Sequence, residues 1–311
     1  MKNHKVRLNE MLEIHYPIIQ GGMANIATGA FAAAVSNAGG LGLIGAGGMN
    51  TDQLCQEIRI CKSLTDKPFG VNLMLMNPDV KDMARMIVEE GVKIVTTGAG
   101  SPASYMPLWK EHGMIVMPVV SSSVLAIKME RCGADAVNAE GTESGGHVGE
   151  MTTMTLVPKI VDTVDIPVIA AGGIADGRQL AAAFALGAIG VQVGTCLLAS
   201  EECPIHQNYK DAVVKAKDND TIVTGRISGT PVRILKNKMA REYVKQEKAG
   251  ADKMELEKFT LGSLRRAVFE GDTKTGSLMA GQSVSQVHGI RPVAEILQKM
   301  YEEYEEVRKS I

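Results

Sequence analysis

The chain has 311 residues, 45% hydrophobic and 22% charged, the balance of a folded globular protein with room for one large barrel plus an accessory segment, or for two ordinary domains. A formal net charge of −2 argues against a general nucleic-acid binder, and no run reaches the roughly 18 uninterrupted apolar residues of a membrane span. Residues 1–10 are polar and lack the apolar core of a signal peptide. The five cysteines (Cys55, Cys61, Cys132, Cys196, Cys203) show no CxxC spacing, so reduced thiols in a cytoplasm are expected.

In chain order, short β-rich runs fall at 16–20, 41–45, 69–73, 93–97, 115–120, 134–139, 167–171 and 190–194. Between them lie stretches of helical periodicity, among them 30–38, 51–63, 80–91, 123–132 and 177–187. Strands recurring about every 25 residues with a helix between predict parallel βαβ units. Their continuous apolar character fits strands buried on both faces. Eight strands make an α/β fold of the closed (β/α)8 TIM-barrel type the expected architecture, with a doubly wound open sheet as the alternative. From about 203 to 275 the chain is charged and reads as helical without a clear strand, including a helix over 231–248. A small Gly-rich segment at 275–282 and a helix at 292–309 follow. The expected organisation is a barrel from 1–202 plus about 276–311, interrupted by a helical subdomain at about 203–275.

In such barrels the site lies at the C-terminal ends of the strands. Glycine recurs at that rim: Gly21-Gly22-Met23-Ala24 after the first strand, Gly45-Ala46-Gly47-Gly48 after the second, Gly98-Ala99-Gly100 after the fourth, Gly172-Gly173 after the seventh and Gly194-Thr195 after the eighth. Without a Cβ, backbone N–H groups can approach a ligand closely, and phosphate binds where such groups converge. Ala171-Gly172-Gly173 and Gly194-Thr195 occupy the two loops where barrels commonly hold phosphate; the other reading is that these glycines only satisfy turn geometry. The remaining rim is small and uncharged, which suits a planar ligand beside Met23 and Ala24. Asn72 offers a donor and an acceptor to a flavin's pyrimidine edge, or is a buried amide satisfied by backbone. His147 sits alone in a Gly-rich loop after the sixth strand, close in sequence to Glu140 and Glu143. It is the candidate proton donor and oxyanion partner, or else a loop histidine of no chemical role. His4, His15, His112, His206 and His288 are not so placed, and no spacing resembles a metal-ligand set.

These segments together resemble the nitronate monooxygenase (2-nitropropane dioxygenase) superfamily of FMN barrels. Within it they most resemble the FMN-dependent enoyl-acyl carrier protein reductases of the FabK type. The resemblance is carried by Tyr16-Pro-Ile-Ile-Gln-Gly-Gly-Met-Ala24, Lys67-Pro-Phe-Gly-Val-Asn72, Glu140-Gly-Thr-Glu-Ser-Gly-Gly-His147, Ile169-Ala-Ala-Gly-Gly-Ile-Ala-Asp-Gly177, Val191-Gln-Val-Gly-Thr195 and Ser277-Leu-Met-Ala-Gly281. It implies FMN contacts at Gly22, Met23, Ala24, Asn72, Gly145, Ala171, Gly172, Gly173, Gly194 and Thr195, with Glu140 on the cofactor side. It also implies Met279 and Gly281 closing over the flavin, and His147 as the catalytic histidine. NADH or NADPH as co-substrate, a homodimer and a response to monovalent cations are further expectations of the resemblance. Several relatives carry Arg or Lys after Gly-Thr, where Cys196 stands here. Nitronate oxidation with O2, and a flavin-binding barrel without turnover, are the alternative readings.

A carrier-bound substrate calls for a basic docking face, because acyl carrier proteins are acidic. Residues 226–248 hold seven basic residues (Arg226, Arg233, Lys236, Lys238, Arg241, Lys245, Lys248), of which Lys238, Arg241, Lys245 and Lys248 share one helical face by spacing. A solvated helix face is the plainer reading.

Overall fold

A computed structural model describes residues 6–310; His4 and the first half of the N-terminal reading lie outside them. Eight parallel strands carry the fold: β1 (Ile18–Gln20), β2 (Gly42–Gly45), β3 (Phe69–Met74), β4 (Ile94–Gly98), β5 (Ile115–Val120), β6 (Val137–Glu140), β7 (Val168–Ala171) and β8 (Val191–Val193). Neighbours pair in sequence order, β8 returns to β1, and a parallel bridge from Ile19 to Leu41 closes the ring. The molecule is a (β/α)8 TIM barrel, not an open sheet.

The lumen is filled from below. Ile19, Leu41, Leu43, Ile94, Met117, Ala136 and Ile169 pack with Leu8 and Leu12 of the short helix Leu8–Leu12, which plugs the bottom. Nothing in the apolar pattern of so short a segment marked it as a helix. Above this apolar layer the inward positions become polar or small. Gly45, Asn72, Thr96 and Met117 share one register row, and Ile19, Gln192, Ala171 and Glu140 another.

The surrounding helices follow their local signals. Asn50 and Gln53 exchange capping-box bonds of 2.9 and 3.0 Å at the start of Thr51–Leu64. Asp176 and Gln179 do the same for Gly177–Ala185. The terminal helix Val293–Ser310 lies against that helix so closely that a Cβ on Gly177 would come 2.3 Å from Tyr304 N.

The expectation of an all-helical stretch at 203–275 is corrected. Thr221–Thr224 and Val232–Leu235 form an antiparallel hairpin, and Val232–Leu235 pairs on its other edge with Gly146–His147. Residues 231–248 are thus a strand followed by the helix Lys238–Lys248. Each hairpin strand is only four residues long, and the flanking charges hid the β-branched Thr-Ile-Val-Thr signal. The hairpin and its helices have a small core of their own in Ile234, Met239, Ala240, Tyr243 and Leu256. No helix among the described residues is long and apolar enough to cross a membrane.

Candidate functional site

The rim glycines do bring loops together. A Cβ on Gly22 would lie 2.2 Å from Asn72 Cβ, so only glycine lets the β1 loop sit against the β3 side chain. Asn72 donates from Nδ2 to Gly22 O (3.3 Å) and accepts from Thr96 Oγ1 (2.8 Å). This uses one of two amide hydrogens and one of two lone-pair directions, leaving one of each for a ligand. Both earlier readings of Asn72 therefore hold in part: it is anchored by protein and still able to recognise. Met23 packs toward Gly194, with Sδ 3.7 Å from the Cβ position there, and Ala24 approaches Gly47.

On the opposite side, β6–β8 and the C-terminal segment form one joined wall. A Cβ on Gly145 would come 2.7–2.8 Å from the backbone of Ala280 and Gly281. Gly281 N donates to Thr195 Oγ1 (2.8 Å), and Gln282 N to Glu143 O (2.8 Å). Met279 is held through its carbonyl by the Tyr209 hydroxyl (2.8 Å) and pairs with Ile234 of the hairpin. Met279 and Gly281 thus stand beside the sixth and eighth loops.

Gly172 and Gly173 have φ of +94° and +74°, a conformation that favours glycine. Among the described residues no hydrogen bond takes the N–H of Gly173 or Thr195, while the Ala171–Gln192 pairing turns Gly172 N–H toward Gln192 O in the β7–β8 ladder. Unpaired donors beside two glycine turns are what a phosphate requires. Asn138 Oδ1 inside the barrel is buried without a partner as well. The residues therefore fit a flavin nucleotide, phosphate at β7–β8 and ring system across the top of the barrel. A cavity of about 270 Å³ borders the same loops, lined by Glu143, Thr153, Gly172, Gly173, Gln179 and Gln282 among others.

His147 is exposed on the edge of the hairpin sheet, its backbone paired with Val232. Surrounding protein lowers its pKa from the ordinary histidine value, so the neutral imidazole prevails at neutral pH. No hydrogen bond joins it to Glu140 or Glu143. Glu140 ends β6 facing the lumen, and burial pushes its carboxyl up to about 7; the nearby Ser144 hydroxyl offsets part of this without reaching hydrogen-bond geometry. Glu143 instead takes the Thr153 N–H on both oxygens (3.0 and 2.9 Å). Cys196 is buried and its thiol is raised to about 12, which removes it as a nucleophile. Sequence reasoning missed Thr153 and Arg233. The buried Arg233 guanidinium donates to Thr142 O at 3.2 and 3.0 Å and so steadies the β6 loop, which takes it out of the basic docking group.

The nitronate monooxygenase family model matches residues 5–90 and 84–303. A probable nitronate monooxygenase of Staphylococcus saprophyticus is 35% identical, over 89% of this chain and 91% of that one. Among solved structures, FabK from Thermotoga maritima is 50% identical with a TM-score of 0.95 and covers 98% of both chains. Nitroalkane oxidase from Streptomyces ansochromogenes is 28% identical with a TM-score of 0.87, covering 96% of this chain and 98% of the other.

Proposed function

The chain belongs to the nitronate monooxygenase family of FMN-dependent oxidoreductases, and within it we propose that it reduces enoyl thioesters carried on an acyl carrier protein, with NADH or NADPH as the reductant. The observation that carries this reading is the 50% identity to FabK over nearly all of both chains, together with a histidine on the same rim as the unpaired phosphate donors. Bound FMN supplies hydride transfer between a nicotinamide and an acceptor double bond. The chain's own residues do the rest. Gly173 and Thr195 offer N–H groups to the phosphate, Gly172 supplies the turn that presents the first of them, and Asn72 offers its free amide hydrogen and lone pair to the ring edge. Neutral His147 donates a hydrogen bond to the thioester oxygen as negative charge develops there, and its protonated form, replenished from solvent at its exposed edge, gives the α-carbon its proton.

The test is anaerobic stopped-flow absorbance of the flavin band. Bleaching by NADH or NADPH, then recovery on adding a trans-2-enoyl thioester without oxygen, is the expected result. Recovery only when air is admitted favours the second reading, nitronate oxidation with O2, which the Staphylococcus relative's name supports.

What supports a carrier-docking face is the helix Lys238–Lys248. Lys238, Arg241, Lys245 and Lys248 are exposed while Met239, Ala240 and Tyr243 are buried on its other side. None of the four makes an ion pair among the described residues. The helix also follows directly on the strand that backs His147. Arg241→Glu combined with Lys245→Glu is expected to raise KM for carrier-bound substrate and to leave KM for the CoA thioester unchanged; equal effects on both refute docking at this face.

A further inference from the structure

The Gly172–Gly173 peptide is fixed by one side chain. Thr153 opens the helix Thr153–Thr163, and its hydroxyl lies 2.8 Å from Gly172 O, 3.0 Å from Glu143 Oε2 and 3.2 Å from Ala171 O. A hydroxyl has one proton to give, and Gly172 O, the nearest of the three, accepts no other hydrogen bond. Ala171 O already receives Gly141 N. Thr153 is itself held by Glu143, whose two carboxylate oxygens accept its backbone N–H at the helix start, where negative charge is favoured.

The orientation of the peptide follows. No cis peptide bond occurs among the described residues, so the C=O of Gly172 and the N–H of Gly173 point in opposite directions. With Gly172 O turned to Thr153, Gly173 N–H is turned away from it, and no protein atom accepts it. The cavity of about 270 Å³ is lined by Thr153, Gly172, Gly173 and Ile174 among others, so the peptide borders open space, and Gly141 and Glu143 pack against its turn. The same Glu143 accepts Gln282 N on its carbonyl, which ties the clamp to the C-terminal segment.

We propose that Thr153, held by Glu143, is the positioning residue for the cofactor phosphate: its hydroxyl turns the Gly172–Gly173 peptide so that the N–H of Gly173 faces the terminal phosphate of the flavin nucleotide. This rests on the FMN reading above. It separates two halves of the cofactor, because the effect acts on the phosphate and not on the ring system.

Flavin-free protein titrated with FMN and with riboflavin, followed by quenching of flavin fluorescence, reads that separation directly. Thr153→Val, which keeps the shape and removes the hydroxyl, is expected to weaken FMN about tenfold or more, the scale of one hydrogen bond to a charged group. Riboflavin, which has no phosphate, should bind it as it binds the wild type, and Thr153→Ser should restore FMN affinity to within about twofold of wild type. The 31P resonance of bound FMN should shift in Thr153→Val and return in Thr153→Ser. Glu143→Gln, a milder variant that keeps an acceptor for the Thr153 N–H, should show the same preference at smaller size. Equal losses for FMN and riboflavin in Thr153→Val and Glu143→Gln, or no loss at all, overturn the proposal while leaving the cofactor reading intact. A wild-type protein that binds neither flavin overturns both.

Discussion

The two halves of the barrel mouth are built by different means. On the β6–β8 side the loops are cross-linked by polar bonds: Glu143 to Thr153, Thr153 to Gly172, Gly281 to Thr195, Gln282 to Glu143, Tyr209 to Met279. On the β2–β4 side, Asn72 bonds Gly22 O and Thr96, Asn77 holds Met49 O and Leu75 N reaches Gly98 O, and apolar side chains line much of the rest. Met49, Met74 and Leu75 are half-buried there, Met76 is 75% exposed, and Ala99 sits at φ 55°, where a non-glycine backbone is strained. A ligand that stays needs a wall of fixed donors. A ligand that comes in several lengths is better met by unbranched, polarisable side chains that repack. On the reading proposed above, the tied side suits the phosphate end of the cofactor, and the loosely tied side suits the acyl chain of the exchanging substrate.

Four measurements bear on that contrast. His147→Ala, on the tied side, should keep its FMN and lose about 10²- to 10³-fold in the rate at which enoyl thioester reoxidises the reduced flavin, as when one oxyanion donor is removed. A wild-type rate would move the chemistry to another residue. Glu140→Gln tests burial on the same side. The folded carboxyl titrates at about 7 against 4.5 for the free group, so the fold favours its neutral form. That contribution is complete below about 4.5 and is lost as pH rises through about 7. The glutamine variant should match wild type in urea unfolding of flavin-free protein near pH 4.5 and exceed it at pH 8 by at most about 3 kcal/mol. A difference independent of pH would contradict the burial argument.

Gly145→Ala and Gly98→Ala compare the two sides with the same added methyl group. At Gly145 it meets the backbone of Ala280 and Gly281, and a cost of about 1–3 kcal/mol in stability is expected, with weaker flavin retention. At Gly98 nothing lies within 4 Å, and a change within about 0.5 kcal/mol is expected by thermal unfolding. Similar Tm losses at both positions would erase the distinction. The smallest effect belongs to Met76→Ser, which should raise KM for long-chain enoyl-CoA by about two- to fivefold, the loss of part of one apolar contact, and leave the four-carbon substrate unaffected.

Much of this was legible in residue patterns. The strand at 115–120 coincides with Ile115–Val120, the third runs one residue longer than expected, and the fourth is shifted by one residue. The sixth strand starts at Val137, three residues later than its apolar run, because Ala134, Asp135 and Ala136 only lead into the sheet. Burial on both faces makes such strands conspicuous. The hairpin was not conspicuous, since its strands are four residues long and partly exposed. Rim glycines announced the tight turns and close loop contacts at the barrel mouth, because a missing Cβ is written in the residue itself. Thr153 carried no such mark. It is one of several threonines in Thr152-Thr153-Met154-Thr155, and its role depends on a carboxylate ten residues back and a carbonyl nineteen residues on. Side-chain to backbone bonds across loops leave no periodicity to read.

The late hairpin also bears on when the protein can begin to work. Gly146–His147 waits for a partner at Val232 and Arg233, Thr195 for Gly281, and Gly177 for Glu303. All eight barrel strands leave the ribosome before any of these partners exists. The nascent barrel therefore emerges with the His147 loop unpaired and the wall of β6–β8 loops incomplete. On the FMN reading, firm retention of the flavin is expected only once Val232, Gly281 and Glu303 have joined the barrel.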